Sequence, residues 1–386
     1  MEKQPAPCRF DRTGGVPVRI RYPAAETWIT RMRPHDRMAR RALPLATLAA
    51  LATLVVPVLA QDSDEVNLKK ALASFPHRLV FESKREGNVD VYVMNADGSG
   101  VKNLTNTADV NEVNPKASPD GRMIAFAADA TEEGRRVRDL YVMAADGSGR
   151  RKIADDARDP CWSPDARRVA FLPSEYRRFS TSTWATRGLK VYDLESKKTV
   201  THPNRDISHV YSLTWTPDSK WFVATVMGGL GYRSGILAIE ADGQDVHRLR
   251  LEGCRPDISS DGKGIIWGYG DYAIGFADLD MTGDHPRVSS TRRLVYNRWK
   301  RGVRRKQTYH ADWSPDDQFV AYSTGPKVRT RRMWGAMPQN PGEDAPGWDL
   351  AIADAKTGAA VQITADGKSN KEPDWLFVAP AKGDAK

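Results

Sequence analysis

One stretch limits what this chain can fold into more than any other. Pro160-Cys161-Trp162 runs into a Ser163-Pro164-Asp165 turn, and Val169-Ala170-Phe171 returns from it as an apolar strand. The pattern recurs as Ser118-Pro119-Asp120-Gly121 before Ile124-Ala125-Phe126, and as Thr216-Pro217-Asp218 before Phe222-Val223-Ala224. It returns as Ser259-Ser260-Asp261-Gly262 before Ile265-Ile266-Trp267, and as Ser314-Pro315-Asp316 before Phe319-Val320-Ala321. Self-similarity at a period of roughly 40–50 residues marks a stacked or ring-shaped repeat architecture. A unit of that kind cannot bury its own apolar faces.

A second kind of turn alternates with the first. Asn95-Ala96-Asp97-Gly98-Ser99-Gly100 is repeated as Ala144-Ala145-Asp146-Gly147-Ser148-Gly149, with looser copies at Asp242-Gly243 and Thr357-Gly358. Asp-Gly supplies the positive φ that tight hairpins require, so these aspartates are turn formers. Each unit then reads as four antiparallel strands, which is a propeller blade. Five units run near 112–154, 157–200, 207–250, 254–290 and 308–364. A sixth is split: residues 79–105 supply three strands, and the missing first strand stands at the other end of the chain as Glu372-Pro373-Asp374-Trp375-Leu376. The expectation is an all-β, six-bladed β-propeller over residues 78–378. Its blades are four-stranded, the C-terminal strand joins the first blade to close the ring, and 379–386 form a tail. Closure of this kind removes the exposed edges of an open sheet.

The formal charge of +9 invites a polyanion partner, so its distribution matters. Residues 1–41 hold ten Lys/Arg against four Asp/Glu and 42–60 hold none, which leaves +3 on everything after Ala60. Most of the basicity is presequence, and nucleic-acid binding is not expected. Arg40-Arg41, an apolar run bounded by Pro44 and Pro57, and Val58-Leu59-Ala60 before Gln61 read as a signal peptide over 38–60. Residues 1–37 then form an upstream extension and 61–77 a polar lead-in. The apolar run is short for a membrane span. The expected protein is exported, periplasmic or secreted and monomeric, with no stable membrane insertion after cleavage; an uncleaved N-terminal anchor is the alternative. Of three cysteines, Cys8 is presequence, and Cys161 and Cys254 fall two blades apart, which suits buried thiols better than a disulfide.

These repeats resemble those of TolB-like propellers: Pro-x-Trp-Ser-Pro-Asp-Gly, Ile-Ala-Phe, and Tyr92-Val93-Met94-Asn95-Ala96-Asp97-Gly98-Ser99-Gly100 followed by Leu104-Thr105. The resemblance covers 78–376 and implies the propeller fold. TolB itself carries an additional N-terminal α/β domain, and fewer than twenty residues separate the predicted cleavage site from the first blade strand. One propeller scaffold hosts many functions, so activity has to be argued from sites.

Propeller topology puts the Ser-Pro-Asp and Asp-Gly turns on one face. The longer connections all open on the other: residues 173–188, 289–308 and 326–347. Long loops on a rigid scaffold are where binding concentrates. Segment 289–308 is the sharpest of the three. It carries Arg292, Arg293, Arg301, Arg304 and Arg305, interleaved with Tyr296, Trp299 and Tyr309, a composition suited to an acidic protein or an anionic glycan. A second candidate is positional. Four residues before each turn serine or threonine, or at the matching place in the split blade, stand Asn114, Asp159, Ser212, Arg255, His310 and Glu372. These six form a polar ring at the mouth of the central channel, which binds a ligand or simply hydrates the channel.

No Gly-x-Ser-x-Gly elbow, His-Glu-x-x-His or zinc-ligand spacing occurs, so no catalytic residue, metal or cofactor is implied. Oligogalacturonate lyases have related repeats with a metal held by histidines and a glutamine. His310, the only histidine near the C-terminal blade here, has no such company. The sequence therefore points to an exported scaffold that binds a protein or an envelope polymer on its long-loop face. A polysaccharide lyase or hydrolase with Arg255, His310 and Glu372 at the channel mouth is the alternative.

Overall fold

The computed structural model describes residues 64–173, 186–298, 301–327 and 340–380. The upstream extension and the signal peptide lie outside them, as do most of the segments 173–188 and 326–347. Among the described residues, twenty-four strands form six separate four-stranded antiparallel sheets. Blade 1 holds β1 (Arg78–Glu86), β2 (Asn88–Asn95) and β3 (Lys102–Asn103). Blade 2 holds β4 (Asn111–Ala117), β5 (Met123–Glu132), β6 (Arg135–Ala144) and β7 (Arg151–Ala154). Blade 3 holds β8 (Ala157–Trp162), β9 (Arg168–Pro173), β10 (Lys190–Asp193) and β11 (Thr199–Thr201). Blade 4 holds β12 (Val210–Trp215), β13 (Trp221–Val226), β14 (Gly235–Glu240) and β15 (Val246–Arg248). Blade 5 holds β16 (Cys254–Ile258), β17 (Gly264–Gly268), β18 (Ala273–Asp280) and β19 (Arg287–Tyr296). Blade 6 holds β20 (Lys306–Trp313), β21 (Phe319–Pro326), β22 (Asp349–Asp354) and β23 (Ala360–Gln362). The last strand, β24 (Ser369–Leu376), pairs with β1 and completes blade 1. The predicted all-β propeller and its closure are both present.

The core is not one mass but six. Each large apolar cluster lies between two adjacent blades. Val80, Val91 and Val93 of blade 1 meet Ile124, Phe126 and Met143 of blade 2, and Ile236 and Ala238 of blade 4 meet Ile265 and Trp267 of blade 5. A blade buries both faces only when it has a neighbour on each side, which is why the ring must close.

The Ser-Pro-Asp turns work as expected. In blade 2 the Ser118 hydroxyl donates to Asp120 Oδ1 at 2.6 Å and accepts the Met123 amide at 2.9 Å, which ties the turn to the returning strand. Thr216–Asp218, Ser259–Asp261 and Ser314–Asp316 repeat the hydroxyl-to-carboxylate bond at 2.6, 2.8 and 2.7 Å.

The segment read as a polar lead-in is a helix, α1, over residues 64–73. Asp64 and Glu65 sit at its positive end. Leu68 and Leu72, one turn apart, are buried against blades 1 and 6. Phe75 follows the helix and packs edge-on against Phe319 and Trp375, 4.9 and 5.4 Å between centroids.

Gly121 shows how tightly the seam is built. Its φ is +69°, and a Cβ there would stand 1.9 Å from the Phe377 carbonyl oxygen just past the closing strand. Ala166, at the same turn position in blade 3, takes φ 58° with a side chain, so the conformation alone is tolerated and the close approach is what demands glycine. Gly121→Ala is expected to cost about 2 kcal/mol or more, combining left-handed strain with overpacking. Ala166→Gly should stay within about 1 kcal/mol of wild type. Denaturant midpoints check both, and equal effects would mean that the seam contact is unimportant.

Candidate functional site

The polar ring is created by a backbone irregularity that all six blades share. Each innermost strand slips register once against its neighbour: between Val113 and Lys116, Arg158 and Cys161, Tyr211 and Thr214, Cys254 and Asp257, and Tyr309 and Asp312. The β1–β24 ladder slips at the matching place, between Val80 and Glu82. The residue inside each bulge has left-handed φ: Asn114 51°, Asp159 51°, Ser212 52°, Arg255 57°, His310 55° and Glu372 50°. These are the six residues the register of the repeat picked out, and the structure brings all of them to one cavity on the axis. A bulge leaves an amide without its ladder partner. Side chains on the second strand of the adjacent blade accept three of those amides. Asn114 N donates to Glu82 Oε2 at 3.1 Å, Arg255 N to Thr225 Oγ1 at 2.7 Å and Glu372 N to Ser323 Oγ at 3.1 Å.

The ring's charges are buried and satisfy one another. Glu372 Oε1 lies 3.3 Å from Arg255 Nη1 and 2.9 Å from His310 Nε2. His310 Nδ1 is 3.0 Å from Ser323 Oγ. Across the ring Asn114 Nδ2 donates to Asp159 Oδ1 at 3.2 Å, and Arg158 Nε to Asp159 Oδ2 at 3.1 Å. Ser323, His310 and Glu372 are thus connected like a hydrolase triad. Ser323, however, is wholly buried, its oxygen already accepts the Glu372 amide, and it does not line the cavity. A nucleophile there could meet no substrate.

A second ring, two residues further along each strand, escaped the sequence reading: Lys116, Cys161, Thr214, Asp257, Asp312 and Asp374. Its signal was available, since these residues hold the middle position of the Pro-x-Trp triplet, complete at Cys161 and Asp374 and degenerate in the other four blades, two residues beyond the first ring. Three of them latch neighbouring blades together. Asp257 accepts the Trp313 amide at 2.9 Å, Asp312 the Trp375 amide at 3.0 Å and Asp374 the Ala117 amide at 2.8 Å. Lys116 Nζ joins Asp374 at 2.6 Å and Asp312 at 3.4 Å. Burial works against the Lys116 charge, yet Asp374, Asp312 and Asp257 outweigh it and hold the ammonium protonated. Burial pushes Asp312 and Asp257 upward; Asp374's charge adds to that, and Lys116 opposes it. The first ring, with Lys116, Asp257 and Asp312, encloses about 50 Å³ at the waist of the channel, and toward the Ser-Pro-Asp turns, where the whole second ring lines it, the channel widens to about 310 Å³.

The basic candidate divides. Residues 287–296 are not a loop between blades but β19, the outermost strand of blade 5. Arg292 and Arg293 therefore sit on a ladder, opposite Phe276 and Gly275. Arg292 lies 4.3 Å over the Phe276 ring and donates to the Ala355 carbonyl of blade 6 at 3.0 Å. Arg293 lies over Tyr269 at 5.3 Å and Tyr296 at 4.9 Å. Arg305 stacks on Tyr272 at 3.7 Å and Tyr296 at 5.2 Å. Arg301 and Arg304 are exposed in the turn that follows, while Trp299 lies outside the described residues.

Neither family models nor curated proteins match this sequence. Solved structures do. TolB from Acinetobacter baumannii superposes with a TM-score of 0.54 at 17% identity, over 78% of this chain and 66% of that one. The fold is that of a TolB-like six-bladed propeller. Hydrazine synthase from Kuenenia stuttgartiensis gives 0.53 at 14% identity, over 78% of this chain and 47% of that one. A chain of a nidogen/laminin complex gives 0.51 at 8% identity, over 78% and 98%. At such identities the likeness concerns the fold.

Among the described residues of this TolB-like propeller, no group of three His, Cys, Asp or Glu side chains could hold a metal, and no helix is long and apolar enough to cross a membrane. Of the other histidines, His202 Nε2 bonds the Glu240 carbonyl at 2.8 Å, and neither His202 nor His209 lines the axial cavity.

Burial lowers the His310 pKa to about 4, against the pull of Glu372. Burial alone would raise Glu372, but His310 and Arg255 outweigh it and hold it at about 2. At neutral pH Glu372 is ionised on Arg255 and His310 is neutral. Both groups bind fewer protons folded than unfolded, so their stabilisation is complete above the unfolded values and fades as pH falls. For His310 the window runs from 6.5 down to about 4. His310→Gln should flatten the pH dependence of stability there by up to about 1.4 kcal/mol per pH unit, the limit for one proton. Melting curves from pH 4 to 7 test this, and superimposable slopes would remove His310 from the acid response.

Proposed function

We propose that this chain is an exported, periplasmic or secreted binding propeller, which holds an envelope protein or an anionic envelope polymer on its long-loop face. One contrast in charge placement carries the reading. The axial charges are buried and paired with one another, whereas Arg293, Arg301, Arg304 and Arg305 have no acidic partner within 4 Å among the described residues. Arg293 and Arg305 are instead held by tyrosine faces. An arginine fixed in this way loses little entropy when it takes up a carboxylate or phosphate.

A polysaccharide lyase or hydrolase at Arg255, His310 and Glu372 is the weaker reading. It would need a sugar ring in a waist of about 50 Å³, room for only a few waters.

Charge reversal at Arg301, Arg304 and Arg305 together is expected to cut capture of the envelope ligand by about tenfold or more, with an unchanged melting temperature. Affinity isolation from envelope extract with wild-type and triple-variant baits measures it. Equal capture by the two proteins would refute the long-loop-face reading. Activity on a polysaccharide that vanished in both His310→Ala and Glu372→Ala would replace it with the enzyme.

A further inference from the structure

β19 is unlike its counterparts. It spans ten residues, whereas the outermost strands of the other blades span two to four. The added length raises a wall beside the linker that leads from blade 4 into blade 5. That linker is fixed. Leu249 and Leu251 are buried, and the Glu252 carbonyl accepts Trp267 Nε1 at 2.8 Å. Trp267 is fixed in turn by Gly275 beneath it, where a Cβ would stand 2.5 Å from the indole. Between linker and wall lies a groove of about 570 Å³, larger than either cavity on the axis and within the range of small-ligand sites. Arg250 and Arg293 line it together with Tyr269, Thr291 and Glu252.

From this groove we infer a binding site for a carboxylated glycan, a chain of uronate-type sugars. The inference rests on the binding-propeller reading and gives it a ligand class. Two guanidinium groups suit carboxylates bidentately, and Arg293 is already oriented between Tyr269 and Tyr296. The exposed part of the tyrosine wall offers an apolar surface to the C–H face of a sugar ring. The Tyr269 ring and Thr291 favour a glycan over an acidic peptide, because an apolar ring face beside a hydroxyl suits a sugar that carries hydroxyls and a C–H face alongside its acid.

The test is calorimetric titration of the purified protein with short uronate oligomers, neutral glucan oligomers of the same length, and poly-glutamate. Uronate oligomers should bind and neutral ones should not. Arg250→Glu with Arg293→Glu should weaken uronate binding by about tenfold or more. Tyr269→Ala should weaken it at constant charge. Arg122→Glu, an exposed charge reversal on the opposite face, should leave it within about twofold. Absent uronate binding, binding indifferent to the Arg250/Arg293 pair, or poly-glutamate bound as tightly would each overturn the inference. Failure here, with envelope capture still dependent on Arg301, Arg304 and Arg305, removes only the ligand class.

Discussion

The pairing of β24 with β1 is the constraint on which the rest depends. It joins residues almost three hundred positions apart, as in the contact of Arg78 with Leu376, and it turns a row of blades into a ring. Without it blades 1 and 6 would each keep an apolar face in water. Both ends of the propeller reinforce the junction. α1 and Phe75 wedge against Phe319 and Trp375, and the Val378 amide donates to His77 Nδ1 at 3.1 Å. Because the loop so closed is nearly the whole propeller, its entropic cost falls late in folding and is offset only when both flanking interfaces form together. Closure and core formation are therefore one cooperative event.

The same geometry brings six innermost strands to a single axis and would stack their side chains in a narrow shaft. The bulges resolve this. One residue per blade is turned into the left-handed region, at a cost of roughly 1–2 kcal/mol for a non-glycine residue, and its side chain joins the axial ring. At Asn114, Arg255 and Glu372 the orphaned amide has a side-chain acceptor, supplied by Glu82, Thr225 and Ser323, which supports the distortion. The second ring uses carboxylates for the same purpose across blade boundaries. The polar axis is thus a product of backbone satisfaction, and its charges are structural first.

The fold was legible because the turn chemistry repeats. Ser-Pro-Asp and Asp-Gly fixed strand order, blade number and the split blade, and through the register they located Asn114, Asp159, Ser212, Arg255, His310 and Glu372. Two elements were not legible. α1 offers one short apolar stripe, Leu68 and Leu72, among charged residues, and owes its stability to a groove made by strands distant in sequence. β19 reads as loop because Ser289-Ser290-Thr291-Arg292-Arg293 lacks an alternating pattern. Its register slips twice against β18, and Ser290 takes φ 51°, so period-two alternation breaks within the strand. Its arginines suggested a basic loop between blades; Tyr296 stands beside them in the sequence, whereas the other rings that hold them, Tyr269, Tyr272 and Phe276, lie on β18 or in the turn before it and could not be placed from composition.

That difference alters where recognition belongs. A charge contributes to binding in proportion to what remains unsatisfied before the ligand arrives. On the axis, Arg255 already faces Glu372 and Lys116 already faces Asp374; an incoming ion would have to replace partners that cost it several kcal/mol to displace. On the rim, Arg293 and Arg305 are held by aromatic faces, which fix position without neutralising charge, since a ring quadrupole contributes only about 0.5–1 kcal/mol at an exposed site. The strand that breaks the repeat's symmetry, by its length and its bulges, is also the one that carries rigid, unneutralised cations. Symmetry builds the scaffold here, and among the described residues its largest departure, β19, leaves cations held by aromatic rings and not by carboxylates.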